Sequence, residues 1–325
     1  ARRVARVGHR LVRRGRVVII DLFAGPGGWS TGLNMIGRAE TVGIEWDKAA
    51  CDTARAAGHE RMQADIAELD PFTIGGTDVE GIIASPPCQG FSMAGKGKGR
   101  EDSARLIAAV GDFAHGDPRA TLHATMTDDR SLLALEPLRW VLDLEPEWTT
   151  WEQVPAVLPL WEACAEVLRA DGYDVWTGLV QAETLGVPQT RKRAILRARR
   201  GVLEPLPDHA ARVTIGDVLP HWPAGSELRH LRGAGMIARF GPRRGRTTDQ
   251  QSMTVTSKAR SWELLTHGLP ARQISIAEAS LLQTFPANYP WTGSRSAQFR
   301  QLGDAVPPLM AAHILASVGA GELSL

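Results

Sequence analysis

The chain has 325 residues, of which 43% are hydrophobic and 22% charged, close to the averages of folded domains, so wholesale disorder is excluded. One large domain with an insert, or two domains, is the expected scale, and no apolar run is long enough to span a bilayer. The net charge of +1 leaves nucleic-acid binding to a basic face, and the three cysteines, Cys51, Cys88 and Cys164, lack the spacing of a disulfide framework or a zinc site, so no metal and a reducing, cytoplasmic setting are expected.

Residues 1–16, "ARRVARVGHRLVRRGR", are Arg-rich and without an acid, and are expected to be a solvated basic arm. From Arg16 the sequence "RVVIIDLFAGPGGWSTGLNMIG" is a β-branched run, a glycine-rich turn and a helix-compatible stretch, hence a buried strand feeding a helix. Gly25, Gly27 and Gly28 let a ligand approach the backbone at the helix N-terminus. A dinucleotide fingerprint would need a third glycine where Ser30 stands, which argues against hydride transfer. A second strand, "ETVGIEW", ends at Glu45, and "DKAACDTARAAG" is a helix with Asp47 as N-cap and Gly58 as stop. An acid at the end of this strand suits a ribose hydroxyl pair, with Trp46 against an adenine. Asp65, read as preceding the third strand region, is a candidate acceptor for the adenine amino group.

In "GIIASPPCQGFSMAG" an apolar strand ends in two prolines, which lack the N–H a central strand needs, so Cys88 falls on a loop at a strand's carboxyl end, where open α/β folds bind ligands. Helices around "SLLALEPLRWVLDL" and "LPLWEACAEVLRADG" alternate with strands "EWTTWEQV" and "YDVWTGLVQA", which implies a mostly parallel sheet covered on both faces. Beyond "RKRAILRARRG" the texture turns irregular and rich in Pro, Gly, Arg and Trp. Regular structure resumes at "SIAEASLLQTFP", where Ser275 and Glu278 form a capping box, and "PPLMAAHILASVGA" is a last helix with prolines near its first turn. The expected division is a basic arm at 1–16, a catalytic domain at 17–201 and 271–325, and a second domain at 202–270.

Seven stretches, "DLFAGPGG", "GIEWD", "ASPPCQGFS", "WEQV", "PQTRKR", "RQISIAEASLLQTFP" and "QLGDAVPP", occur in the order and approximate spacing of the DNA cytosine-5 methyltransferases, and the chain resembles that family outside the arm and residues 202–249. The resemblance implies an α/β, Rossmann-like S-adenosylmethionine-dependent methyltransferase fold with a mostly parallel sheet, plus a small irregular target-recognition domain at 202–270. It implies that Cys88 adds as a thiolate to C6 of cytosine, and the two prolines then hold it at attack geometry. Glu152 would hold the N3 and amino edge of the base, Arg193 its O2, and Arg191 the loop or a phosphate. S-adenosylmethionine would lie against Phe23, Gly25, Gly27, Gly28, Glu45, Trp46, Asp65, Ile66, Pro87, Asp304 and Ala305. Arg272 and Glu278 would support the site from outside it.

Double-stranded DNA is the implied partner, met by Gln89, Ser92, Lys96 and Lys98 on the loop after Cys88 and by Arg243, Arg244 and Arg246 in "ARFGPRRGR", whose guanidinium groups suit guanine edges. A cognate restriction endonuclease is a further candidate partner, and a monomer without membrane contact is expected. The chain departs from the family pattern at two positions: Gln153 and Asp304 stand where the family has Asn. Two other readings use the same residues. A tRNA substrate is disfavoured by the absence of the Cys-Phe-Thr signature, and a catalytically impaired DNA-binding regulator is disfavoured by the intact Cys88, Glu152 and Arg193.

Overall fold

The computed structural model describes residues 18–75, 78–87, 99–114, 116–207, 211–230 and 245–323. The basic arm, Cys88, Gln89, Ser92, Lys96, Lys98, Arg243 and Arg244 lie outside the described residues.

Seven strands form the main sheet in the order β3-β2-β1-β4-β5-β8-β6. They are β1 (Val18–Leu22), β2 (Thr41–Glu45), β3 (Arg61–Gln63), β4 (Val79–Ala84), β5 (Trp148–Gln153), β6 (Asp174–Gln181) and β8 (Lys192–Arg199). Neighbours are parallel except β8, which runs antiparallel to both β5 and β6. Two of these strands differ from the sequence reading. β3, a strand that the sequence reading did not include, comes just before Asp65, and "KRAILRAR" is a full strand inserted between β5 and β6.

The pleat separates two cores. Ile20 and Leu22 of β1 face α6 (Glu136–Leu144) and α7 (Leu158–Ala170), with Trp140, Trp151 and Trp161 fully buried among them. Ile19 faces the opposite side, where α1 (Gly28–Met35) packs on the last helix, α11 (Pro308–Ser317). That pair is in close contact: a methyl on Gly32 would stand 2.7 Å from Ala311 Cβ.

A second, four-stranded sheet, β10-β9-β12-β13, contains β9 (Glu227–His230), β10 (Arg246–Thr247), β12 (Trp262–Leu265) and β13 (Arg272–Gln273). Another short strand, β11 (Ser252–Met253), returns to pair with β7 (Gln189–Thr190) just ahead of β8. This sheet shares a third core with α9 (Ile276–Leu282) and α10 (Arg295–Asp304), in which Trp222, Leu228 and Trp262 meet Leu282, Phe285 and Phe299. The capping box at Ser275 is formed, and Glu278 also accepts from the Trp222 indole at 2.8 Å and pairs with Arg272. These hydrogen bonds hold the Glu278 carboxyl down at about 2 against the upward push of burial.

Candidate functional site

The strand order reverses between β1 and β4, and at the carboxyl ends of β1, β2, β4 and β5 a cavity of about 360 Å³ opens. At one end is the glycine-rich turn. Phe23 and Gly25 both have positive φ, +60° and +54°, the first of them rare for a side-chain-bearing residue. Glu45 holds this turn through its side chain: one oxygen accepts the Gly25 N–H at 2.9 Å and the other the Asp47 N–H at 2.7 Å. Burial pushes the Glu45 carboxyl up while these N–H donors draw it down. Each oxygen keeps a lone pair for a ligand hydroxyl. Asp65 caps the short turn at Ile66–Glu68, accepting from Ala67 N–H at 3.0 Å, and Ile66 and the exposed Trp46 give this end apolar walls.

Beneath the turn lies Arg61. Its guanidinium donates to the carbonyl of Gly25 at 3.2 Å and to Ser30 Oγ at 2.9 Å. Ser30, which breaks the dinucleotide pattern, is thus used to brace the turn. Asp21, beside it, is wholly buried, and neither of its oxygens has a hydrogen-bond partner among the described residues. Burial raises it to about 7, with Arg61 opposing.

The other end of the cavity is chemically distinct. Arg193 Nε stands 2.7 Å from Glu152 Oε1 in an ion pair, and that oxygen has no hydrogen-bond partner among the described residues. Pro86 and Pro87 form the adjoining wall. The Gln153 amide donates to the Pro86 carbonyl while its oxygen accepts the Val154 N–H, so the longer side chain still joins β5 to the segment that leads to Cys88. Arg191 is 1% exposed and donates to the carbonyls of Val255, Gly303 and Ala305 at 3.1–3.2 Å. Buried in this way it ties β7 and β8 to residues 303–305, which corrects the phosphate-contact expectation.

Of the sequence-predicted residues, Phe23, Gly25, Gly28, Glu45, Trp46, Asp65, Ile66, Pro87, Glu152, Arg191, Arg193, Asp304 and Ala305 line this one cavity. Gly27 does not: with φ +113° it caps α1, and a methyl on it would lie 2.6 Å from both the His59 ring and the Tyr289 hydroxyl. Arg246 lies in β10, away from the cavity lining. Arg272 and Glu278 also stay outside and join β13 and α9 to Trp222. Sequence reasoning missed Arg130, Leu133 and Arg300, which line the cavity too. Arg300 pairs with Asp47 at 2.9 Å across the rim. Its spacing of four residues from Asp304 on a helix was the one available signal.

One end of the cavity can therefore hold a nucleoside by its ribose and ring, while the other places an acid and a guanidinium where a second planar polar group would enter. Against known proteins, the family model for C-5 cytosine-specific DNA methylase matches residues 17–113, 119–217 and 227–320. Type II methyltransferase M1.HphI of Haemophilus parahaemolyticus is 28% identical over 92% of this chain and 86% of its own length. Type II methyltransferase M.HgiDI of Herpetosiphon aurantiacus is 26% identical over 93% of this chain and 94% of its own. Among solved structures, the Dnmt2 methyltransferase of S. pombe superposes with a TM-score of 0.65 at 17% identity, covering 94% of this chain and 99% of that one, a likeness of fold.

Proposed function

The chain belongs to the C-5 cytosine-specific DNA methylases and is a DNA cytosine-5 methyltransferase, and we propose that it draws the methyl group from S-adenosylmethionine and acts on a cytosine turned out of the duplex through a transient bond to Cys88. The observation that carries this reading is the single cavity that joins a nucleoside-binding end to the Glu152–Arg193 pair, with Pro86 and Pro87 between them leading to the cysteine. The donor's chemistry fits the first end. Glu45 and Asp65 offer carboxylates to a ribose and an amino group, Ile66 and Trp46 offer apolar surface to a ring, and among the described residues none beyond its chain neighbours comes within 4 Å of where a methyl on Gly25 would stand. The cavity is within the usual range for such ligands, roughly 300–1,000 Å³.

When bound, S-adenosylmethionine supplies an electrophilic methyl group and leaves as a neutral thioether. The protein's own part is to make C5 of cytosine able to receive it. The Cys88 thiolate adds to C6, and the electron pair of the C5–C6 double bond becomes available at C5. Glu152, acting on N3 as a proton or hydrogen-bond donor, and Arg193, acting on O2, withdraw electron density from C6 and favour that addition. After the methyl arrives at C5, the C5 proton passes to a base in solvent, the S–C6 bond breaks, and thiolate and aromatic ring are restored. Arg191, fixed to three carbonyls, keeps the Asp304–Ala305 wall against the strand that carries Arg193.

The base is stacked in duplex DNA, so it has to be extruded, at a cost of a few kcal/mol that phosphate and groove contacts offset. We assign those contacts to Gln89, Ser92, Lys96 and Lys98 and to Arg243, Arg244 and Arg246 within the target-recognition segment 202–270. The type II naming of both relatives supports a cognate endonuclease as partner. The test is incubation with methyl-labelled S-adenosylmethionine and duplex DNA, followed by base analysis. Label in 5-methylcytosine is the expected result. Label in another base, or in RNA alone, would contradict it.

A further inference from the structure

Asp304 is the last residue of α10 and lines the cavity, yet its carboxylate makes no hydrogen bond or ion pair with any described residue. Three arginines act on it electrostatically, Arg191, Arg300 and Arg193, and each is committed elsewhere. Arg193 pairs with Glu152 at 2.7 Å, and Arg300, one helical turn earlier, pairs with Asp47 at 2.9 Å. Arg191 donates to backbone carbonyls. These neighbours also place Asp304 along the cavity: Arg191 and Arg193 belong to the end with Glu152, whereas Arg300 and Asp47 belong to the rim beside Trp46.

An acid lining the groove is therefore left without a direct ion-pair partner among the described residues, with positive charge only at longer range. The side chain is exposed, facing the cavity, and the protein around it still pushes its carboxyl up while the three arginines oppose the shift. A ligand that brings a positive charge to this point supplies the partner that the protein withholds.

The donor reading above, on which this inference rests, states which ligand atom lies there. With adenosine at the Glu45 end and the methyl facing the base at the Glu152 end, the donor's sulfur has to lie between them. That sulfur is a cationic sulfonium before transfer and a neutral thioether afterwards. We propose that Asp304 is a specificity-determining residue that makes the cavity prefer the cationic methyl donor to its neutral product, so that spent donor is released more readily. Donor and product carry the same amino and carboxylate groups, so the ratio of their affinities isolates the charge on sulfur.

The test is calorimetric titration of the full chain with S-adenosylmethionine, S-adenosylhomocysteine and an analogue that carries an ammonium group in place of the methylsulfonium. Wild type is expected to bind both cationic ligands more tightly than the thioether. Asp304→Asn should weaken the two cations by about 5–10-fold and leave the thioether within about twofold, as expected when one partly screened charge is removed at short range. Asp304→Ser removes the charge with a different shape and should narrow the preference equally, and retained thioether binding shows in either variant that the cavity is folded. Equal weakening of all three ligands, or an unchanged preference, would overturn the role of Asp304 while leaving the donor reading intact. If wild type bound none of the three, the donor reading would fall and this inference with it.

Discussion

Asp21 and Gln153 show how far a residue's type can be interpreted without its surroundings. Asp21 stands inside a β-branched run, where the pattern alone asks for an apolar side chain; the charge of the buried Arg61, forty residues later, offsets part of the cost of burying an acid there. Local pattern has no access to that charge. Gln153 marks a departure from the family's Asn, and its longer side chain both donates to the Pro86 carbonyl and turns back to accept the Val154 N–H. For Asp21 the consequence is a pH dependence. Its carboxyl is raised from 3.8 to about 7, so between those values the folded chain holds a proton that the unfolded chain has released. Its stabilising contribution is complete below about pH 4 and is lost as pH rises through 7. Asp21→Asn, which keeps the shape and removes the titration, should therefore gain stability relative to wild type between pH 5 and pH 8, by roughly 2–4 kcal/mol. Urea unfolding of both proteins at the two pH values measures this. A stability difference that did not change with pH would refute it.

At the scale of elements, periodicity and punctuation were enough for β1, β2, β4, β5 and β6 and for α1, α6, α7 and the helix at Lys48–Ala56, because each is a long enough run bounded by Gly, Pro or a capping residue; the helix at Gly99–Ala109 was not among those read. β3 has three residues, too few to show a period. β8 escaped for a different reason: its pattern is interrupted by Arg197, a buried arginine whose guanidinium lies over the Trp176 ring, 4.9 Å from the centroid. The turn between β1 and α1 allows a sharp contrast between two of its glycines. A methyl on Gly28 would stand 2.3 Å from the carbonyl oxygen of Val306, so Gly28→Ala has to push α1 away from the 303–306 wall. A methyl on Gly25 would meet no described residue within 4 Å beyond its chain neighbours and would stand at a strained φ. Gly28→Ala is thus expected to lower stability by about 1–3 kcal/mol. Gly25→Ala should lose about 1–2 kcal/mol from backbone strain alone. Chemical denaturation of the two variants measures this, and a Gly28→Ala variant as stable as wild type would contradict the packing.

At the scale of the molecule, the site belongs to no single element. Its walls come from the ends of four strands, from the first turn of α1, from the end of α10 and from Arg130 and Leu133. The motifs named most of these residues one stretch at a time, since each motif is local. What they could not supply was the long-range assembly: the third core, which joins Trp222 and Trp262 to Phe285 and Phe299, and the Arg191 tie that fixes residues 303–305 to the strand bearing Arg193. This assembly brings the nucleoside end, the Glu152–Arg193 pair and the segment leading to Cys88 together, and the central claim is that they act jointly on one cytosine. The most direct measurement is incubation with S-adenosylmethionine and duplex DNA that carries 5-fluorocytosine, whose fluorine blocks the last elimination, using wild type and Cys88→Ala. The account predicts a denaturation-resistant protein–DNA complex with wild type and none with the variant. A complex that survives loss of Cys88, or its absence from a wild type that methylates ordinary cytosine, would contradict it.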